Sequence, residues 1–160
     1  MFRDWSAWLL AMALAAHAGA APAVDPDYDV LFQKHGEQNG VDWRLLKAIA
    51  TVESHLNPRA ENPDGLSAGI MQIHCAPAYS IRCRNRLDLP TWPPATRAQL
   101  YYPDYNISIG AQILAWNIAH LGQARGIAAY NQWSARKTRR GDPFPNQYYV
   151  DKVLSTYRSL

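Results

Sequence analysis

Residues 45–74 read LLKAIATVESHLNPRAENPDGLSAGIMQIH, and the first third of that stretch decides the fold. Leu46, Ile49, Ala50 and Glu53 recur at i, i+3, i+4 and i+7, so they share one face of a helix, with Leu45, Ala48 and Val52 beside them. A carboxylate thus ends an otherwise apolar stripe. Desolvation disfavours the ionised form, so Glu53 on this face is expected to hold a proton near neutral pH, as a general acid must. The alternative is a boundary glutamate whose carboxylate reaches water. Asn57-Pro58 is expected to stop the helix just beyond, because the proline ring pushes its predecessor out of helical geometry.

Working outward, Gly40-Val41-Asp42 reads as a stop and a new start, with Asp42 the N-cap of the Glu53 helix. Before it, Tyr28, Leu31, Phe32 and His35 fall at helical spacing between Asp25 and Asn39, with His35 a core or boundary residue. After Glu53, residues 62–67 (NPDGLS) are turn formers and predict a loop in front of a short helical segment through Ile73. Gly69, lacking a side chain, would let backbone approach a ligand, whereas Met71 and Ile73 read equally well as core. Residues 84–103 hold four prolines and no period, and predict a long loop, anchored by Trp92. Asn106–Leu121 is a strong helix stopped by Gly122, with His120 packed rather than catalytic; residues 123–133 and 146–157 predict two more. The fold class is therefore all-α, or α with minimal β, in a single domain, which a length of 160 residues and 18.0 kDa suits.

Residues 1–23 set the compartment. Arg3, the apolar run Trp8–Ala16 and the small residues Ala18-Gly19-Ala20 have the layout of a secretory signal peptide, with an uncleaved anchor as the alternative. That leaves residues 24–160 as the functional domain and implies a periplasmic or otherwise exported protein. In such a compartment the only two cysteines, Cys75 and Cys83, are candidates for a disulfide. No CxxC pair or second ligand cluster accompanies His74, so no metal is expected. The net charge of +3 suits polyanionic surroundings. The basic run Arg136–Arg140 lacks the aromatic and glycine pattern of a nucleic-acid module, so no nucleic-acid partner is expected.

Four short motifs in order, Glu53-Ser54 with Asn57-Pro58, Gly69-Ile70-Met71-Gln72-Ile73, Ala129-Tyr130-Asn131 and Tyr148-Tyr149-Val150, resemble those of the soluble lytic transglycosylase family. The resemblance implies a lysozyme-like fold and cleavage of the bond between N-acetylmuramic acid and N-acetylglucosamine in peptidoglycan, with Glu53 catalytic and no cofactor. It further implies that Ser54, Ser67, Gly69, Met71, Gln72 and Tyr149 line the glycan groove, that Asn131 holds the tight turn or a sugar, and that Tyr130 hydrogen-bonds or orients Glu53. Ordinary glycosidases pair two carboxyl groups. Asp64, the nearest second candidate, sits in a Pro-Asp-Gly turn. Small single-domain members of this kind often open the wall locally for a secretion or conjugation apparatus or a phage particle. The competing readings are a lysozyme-type hydrolase and a non-catalytic glycan-binding component of such a machine or virion.

Overall fold

The computed structural model describes residues 27–63, 65–74, 96–131 and 144–160. The signal segment, Asp64, the Cys75–Cys83 pair, Trp92 and the basic run lie outside the described residues. Among the described residues five α-helices carry the fold: α1 (Asp29–Asn39), α2 (Trp43–Ser54), α3 (Pro103–Leu121), α4 (Gln123–Asn131) and α5 (Gln147–Ser159). Between α2 and α3 lie two antiparallel two-residue strands, β1 (Ser67–Ala68) and β2 (Ile73–His74), and a short 3-10 helix (Arg97–Tyr101).

Helix α2 runs through the middle because its stripe buries completely. Leu46, Ala48, Ile49 and Ala50 expose no surface, and Leu45 almost none. Fully burying a leucine or isoleucine contributes roughly 1.5–3 kcal/mol, so this face alone outweighs the weak helix propensity of its β-branched residues. The helix starts where Asp42 accepts a hydrogen bond from the Arg44 amide. Asp42 also accepts from the Tyr157 hydroxyl at 2.6 Å, which pins the end of α5 to the start of α2. At the other end, α5 lays Val150 and Val153 into the same core.

Helix α1 packs on both α2 and α3 through Phe32 and His35. His35 is buried, with ring nitrogens against Gln38 Oε1 (3.1 Å) and Asp104 Oδ1 (2.9 Å), as a boundary histidine requires. Helix α3 begins at Pro103, three residues before its expected start, since proline at the first helical position forfeits no hydrogen bond. His120 is exposed rather than packed, its ring stacked on Trp116 at 4.1 Å.

Two expectations fail locally. Helix α2 is stopped before Asn57-Pro58 is reached, by His55 (φ 54°) and Leu56 (φ 63°) in left-handed conformation. The His55 amide donates back to Thr51 and the Leu56 amide to Ala50, satisfying carbonyls at the helix end. The segment through Ile73 is not helical: Gly69 (φ 84°) and Gln72 (φ 48°) turn the chain tightly, and Ser67–Ala68 pairs with Ile73–His74 instead.

Candidate active site

Glu53 lies in the last full turn of α2, partly exposed by area, while protein atoms crowd its carboxyl group. Burial pushes the carboxyl up to about 7 from its ordinary 4.5, against the opposing pull of a hydrogen bond from Tyr149 and the charge of Lys152. The negative end of the α2 dipole acts in the same direction as burial. The group therefore keeps its proton to near neutrality.

The hydrogen bond that orients it comes from α5. The Tyr149 hydroxyl donates to Glu53 Oε1 at 2.6 Å, and the buried phenol is held far above its ordinary range by burial and by the Glu53 charge. The expectation that Tyr130 makes this bond is corrected. Its hydroxyl donates to the Met71 carbonyl at 3.0 Å, with the Glu53 charge still near enough to raise it. Two tyrosines from different helices thus divide the work, one holding the acid and the other the turn that faces it.

That turn is fixed with little freedom. The Ser54 hydroxyl donates to the Ile70 carbonyl at 2.6 Å, coupling the residue after the acid to the turn. The Gln72 amide nitrogen donates to the Ala60 and Gly69 carbonyls at 3.0 and 2.9 Å. Met71 is fully buried. Its side chain packs on Gly110 of α3, where an added Cβ would lie 2.4 Å from the sulfur. Beneath the turn sits Asn106, wholly buried, whose Oδ1 accepts from the Met71 amide at 2.8 Å. Its Nδ2 donates to the Leu100 and Ala68 carbonyls at 2.8 and 3.0 Å. A Cβ on Gly69 would fall 2.1 Å from both that nitrogen and the Leu100 carbonyl. The space beside Gly69 is therefore filled by protein, correcting the expectation that it is open to a ligand.

The remaining predicted residues take lesser places. Ser67 pairs with His74 at the mouth of the hairpin, partly exposed. Asn131, exposed at the end of α4, accepts from the Asn146 amide at 3.2 Å, which joins α4 to the start of α5. Glu61, not singled out from sequence, has its carboxylate engaged by the Tyr101 hydroxyl and, at 3.4 Å, by Arg97. Asn106, Gly110 and Lys152 were not singled out from sequence. For Asn106 no signal in the sequence set it apart from the other polar residues of the same helix, Ser108, Gln112 and Asn117.

A carboxyl group that shares its time between the protonated and ionised forms near neutrality, held by one strong donor, can deliver a proton to a bound oxygen and take one back. Among the described residues no group of three or more histidines, cysteines or carboxylates is placed to hold a metal.

The family described as Transglycosylase SLT domain matches residues 30–146. Membrane-bound lytic murein transglycosylase F of Shewanella pealeana is 43% identical over 166 residues, covering 84% of this chain and 34% of that protein. The protein of the same name from Haemophilus influenzae is 30% identical over 109 residues, 68% of this chain and 19% of that one. The chain thus spans about a third or less of these relatives' length. Among solved structures, the 70 kDa soluble lytic transglycosylase of Escherichia coli superposes with a TM-score of 0.61 at 26% identity, covering 82% of this chain and 24% of that one. An inactive glutamate-to-glutamine mutant of lytic transglycosylase Slt from Pseudomonas aeruginosa gives 0.62 at 24%, with 82% and 23% covered. The helical fold is the one these structures share.

Proposed function

The chain belongs to the Transglycosylase SLT domain family, and from that membership we propose that it cleaves peptidoglycan as a lytic transglycosylase, with Glu53 as its one catalytic carboxyl. The observation that carries the assignment is the Glu53 carboxyl itself, held protonated to about pH 7 by burial and bound by Tyr149. Protonated Glu53 gives its proton to the glycosidic oxygen between N-acetylmuramic acid and N-acetylglucosamine, and the bond to the muramyl anomeric carbon breaks. The carboxylate left behind keeps the Tyr149 hydrogen bond and takes the proton of the muramyl C6 hydroxyl. That oxygen closes on its own anomeric carbon and leaves a 1,6-anhydro end. Proton and bond counts balance without water or a cofactor, and the intramolecular nucleophile is already in place.

Glycan contacts follow from which polar groups are already committed. Ser54, Gln72 and Gly69 are occupied in holding the turn, so Ser67 and Asn131 are the side chains we assign to sugar hydroxyls. Met71 and Tyr130 shape the floor from below. The substrate places the protein outside the cytoplasmic membrane, in keeping with an N-terminal signal segment and a domain over residues 24–160. Local wall opening for a secretion or conjugation apparatus, or by a phage particle, is the duty we propose on resemblance to small single-domain relatives. Mass analysis of fragments released from purified sacculi tests the chemistry. Anhydro ends that disappear with Glu53→Gln are expected; reducing ends would make the protein a hydrolase, and no release at all would make it a binding component.

A further inference from the structure

The same helix that brings Tyr149 to the acid brings a cation. Lys152 lies three residues after Tyr149 on α5, and residues at that spacing are neighbours on a helix surface, with Cβ atoms about 5–6 Å apart. Tyr149 turns inward and reaches Glu53 at 2.6 Å; Lys152 flanks it on the exposed side. Among the described residues no ion pair or hydrogen bond engages the Lys152 ammonium, whereas Lys34, Lys47, Arg44 and Arg97 are each paired with a carboxylate. The nearby Asp151 accepts from Gln147 instead.

We propose that Lys152 is a positioning residue for the reaction, the counter-charge that Glu53 meets each time it gives up its proton. The inference rests on the reading of Glu53 as the catalytic acid. Between its two proton transfers Glu53 is an anion in a crowded site, and an uncommitted ammonium one helical turn from its hydrogen-bond donor stabilises that interval. Among the described residues the other groups around Glu53 cannot serve. Tyr149 and Tyr130 stay neutral, their hydroxyls pushed far above the ordinary range by burial, and the facing turn and α3 offer Met71, Gln72 and Gly110, which carry no charge. The direction of the electrostatic effect agrees, since the Lys152 charge lowers the proton affinity of Glu53 against the rise caused by burial. Because Lys152 is solvent-exposed, the effect is moderate and sensitive to salt.

The test is the titration of the Glu53 side-chain carboxyl, followed by carbon NMR in the full chain, together with the pH profile of glycan cleavage. Lys152→Met should move both the titration and the alkaline limb of the profile upward by roughly half a pH unit, the scale of an exposed charge pair. Lys152→Glu should move them further and Lys152→Arg should restore the parental values. In about 1 M salt, where screening acts within about 3 Å, the difference between parent and Lys152→Met should vanish. An unmoved Glu53 titration in Lys152→Met overturns the proposal even if cleavage slows, since slowing alone marks a structural role. Cleavage that survives Glu53→Gln overturns the catalytic reading instead, whatever Lys152 does.

Discussion

Replacing Glu53 by glutamine should end catalysis and, at neutral and higher pH, make the protein more stable. The folded-state carboxyl titrates at about 7 and the ordinary one at 4.5. A folded value above the unfolded one means that the protonated group suits the folded protein and the ionised group does not. Its contribution is therefore complete below about pH 4.5 and is lost as the pH rises through about 7. At 1.36 kcal/mol per unit the gap corresponds to a loss of about 3 kcal/mol in the wild type. Glutamine has the same shape, accepts the Tyr149 hydrogen bond and cannot ionise, so Glu53→Gln should escape this loss. Urea unfolding followed by tryptophan fluorescence, at steps between about pH 4 and about pH 9, measures the difference between the two proteins, from which all other titrating groups cancel. The two stabilities should converge at the acid end and diverge by about 3 kcal/mol in favour of the variant at the alkaline end. Parallel curves would refute the reasoning, because they would mean that Glu53 feels the same surroundings folded and unfolded.

Three further outcomes follow from the same geometry. Tyr149→Phe removes a hydrogen bond that favours the Glu53 anion, so the alkaline limb of the cleavage profile should shift to higher pH; a limb that stays in place or moves down counts against Tyr149 as the donor. Asn106→Leu leaves the Met71 amide and the Ala68 and Leu100 carbonyls buried without partners, at about 3 kcal/mol or more by urea unfolding, and a loss below about 1 kcal/mol would show that the turn does not depend on it. Gly69→Ala combines a left-handed backbone with a 2.1 Å clash and should destabilise by at least about 3 kcal/mol, read as a fall in the urea midpoint; a folded variant of parental stability would mean the turn is looser than described.

The start and the buried face of the helix bearing the acid were legible, because Leu45, Leu46, Ala48, Ile49 and Ala50 bury almost completely and a 3.6-residue period records that directly. Glu53 could be placed at the end of that face for the same reason. Its partner could not be chosen from sequence: Tyr130 and Tyr149 both sit in suggestive motifs, and only the packing of α5 on α2 decides which hydroxyl arrives. The hairpin at 67–74 was hidden because strands of two residues are too short to show alternation, and Met71 and Ile73 bury as they would in a helix. The helix stop at His55 and Leu56 was hidden too, since a leucine disfavours a left-handed backbone and tertiary structure imposes it. Asn106 shows the general limit, for two of its three bonds reach Met71 and Ala68, distant in sequence, and no local pattern encodes them.

The hydroxyl that grips Glu53 is contributed 96 residues further along the chain, by α5. A partly made polypeptide emerging with α1 to α4 alone would carry the acid but not its grip, nor the neighbouring ammonium. The site is therefore complete only once α5 has packed on α2, so its assembly depends on a contact between distant parts of the chain rather than on the acid-bearing helix alone.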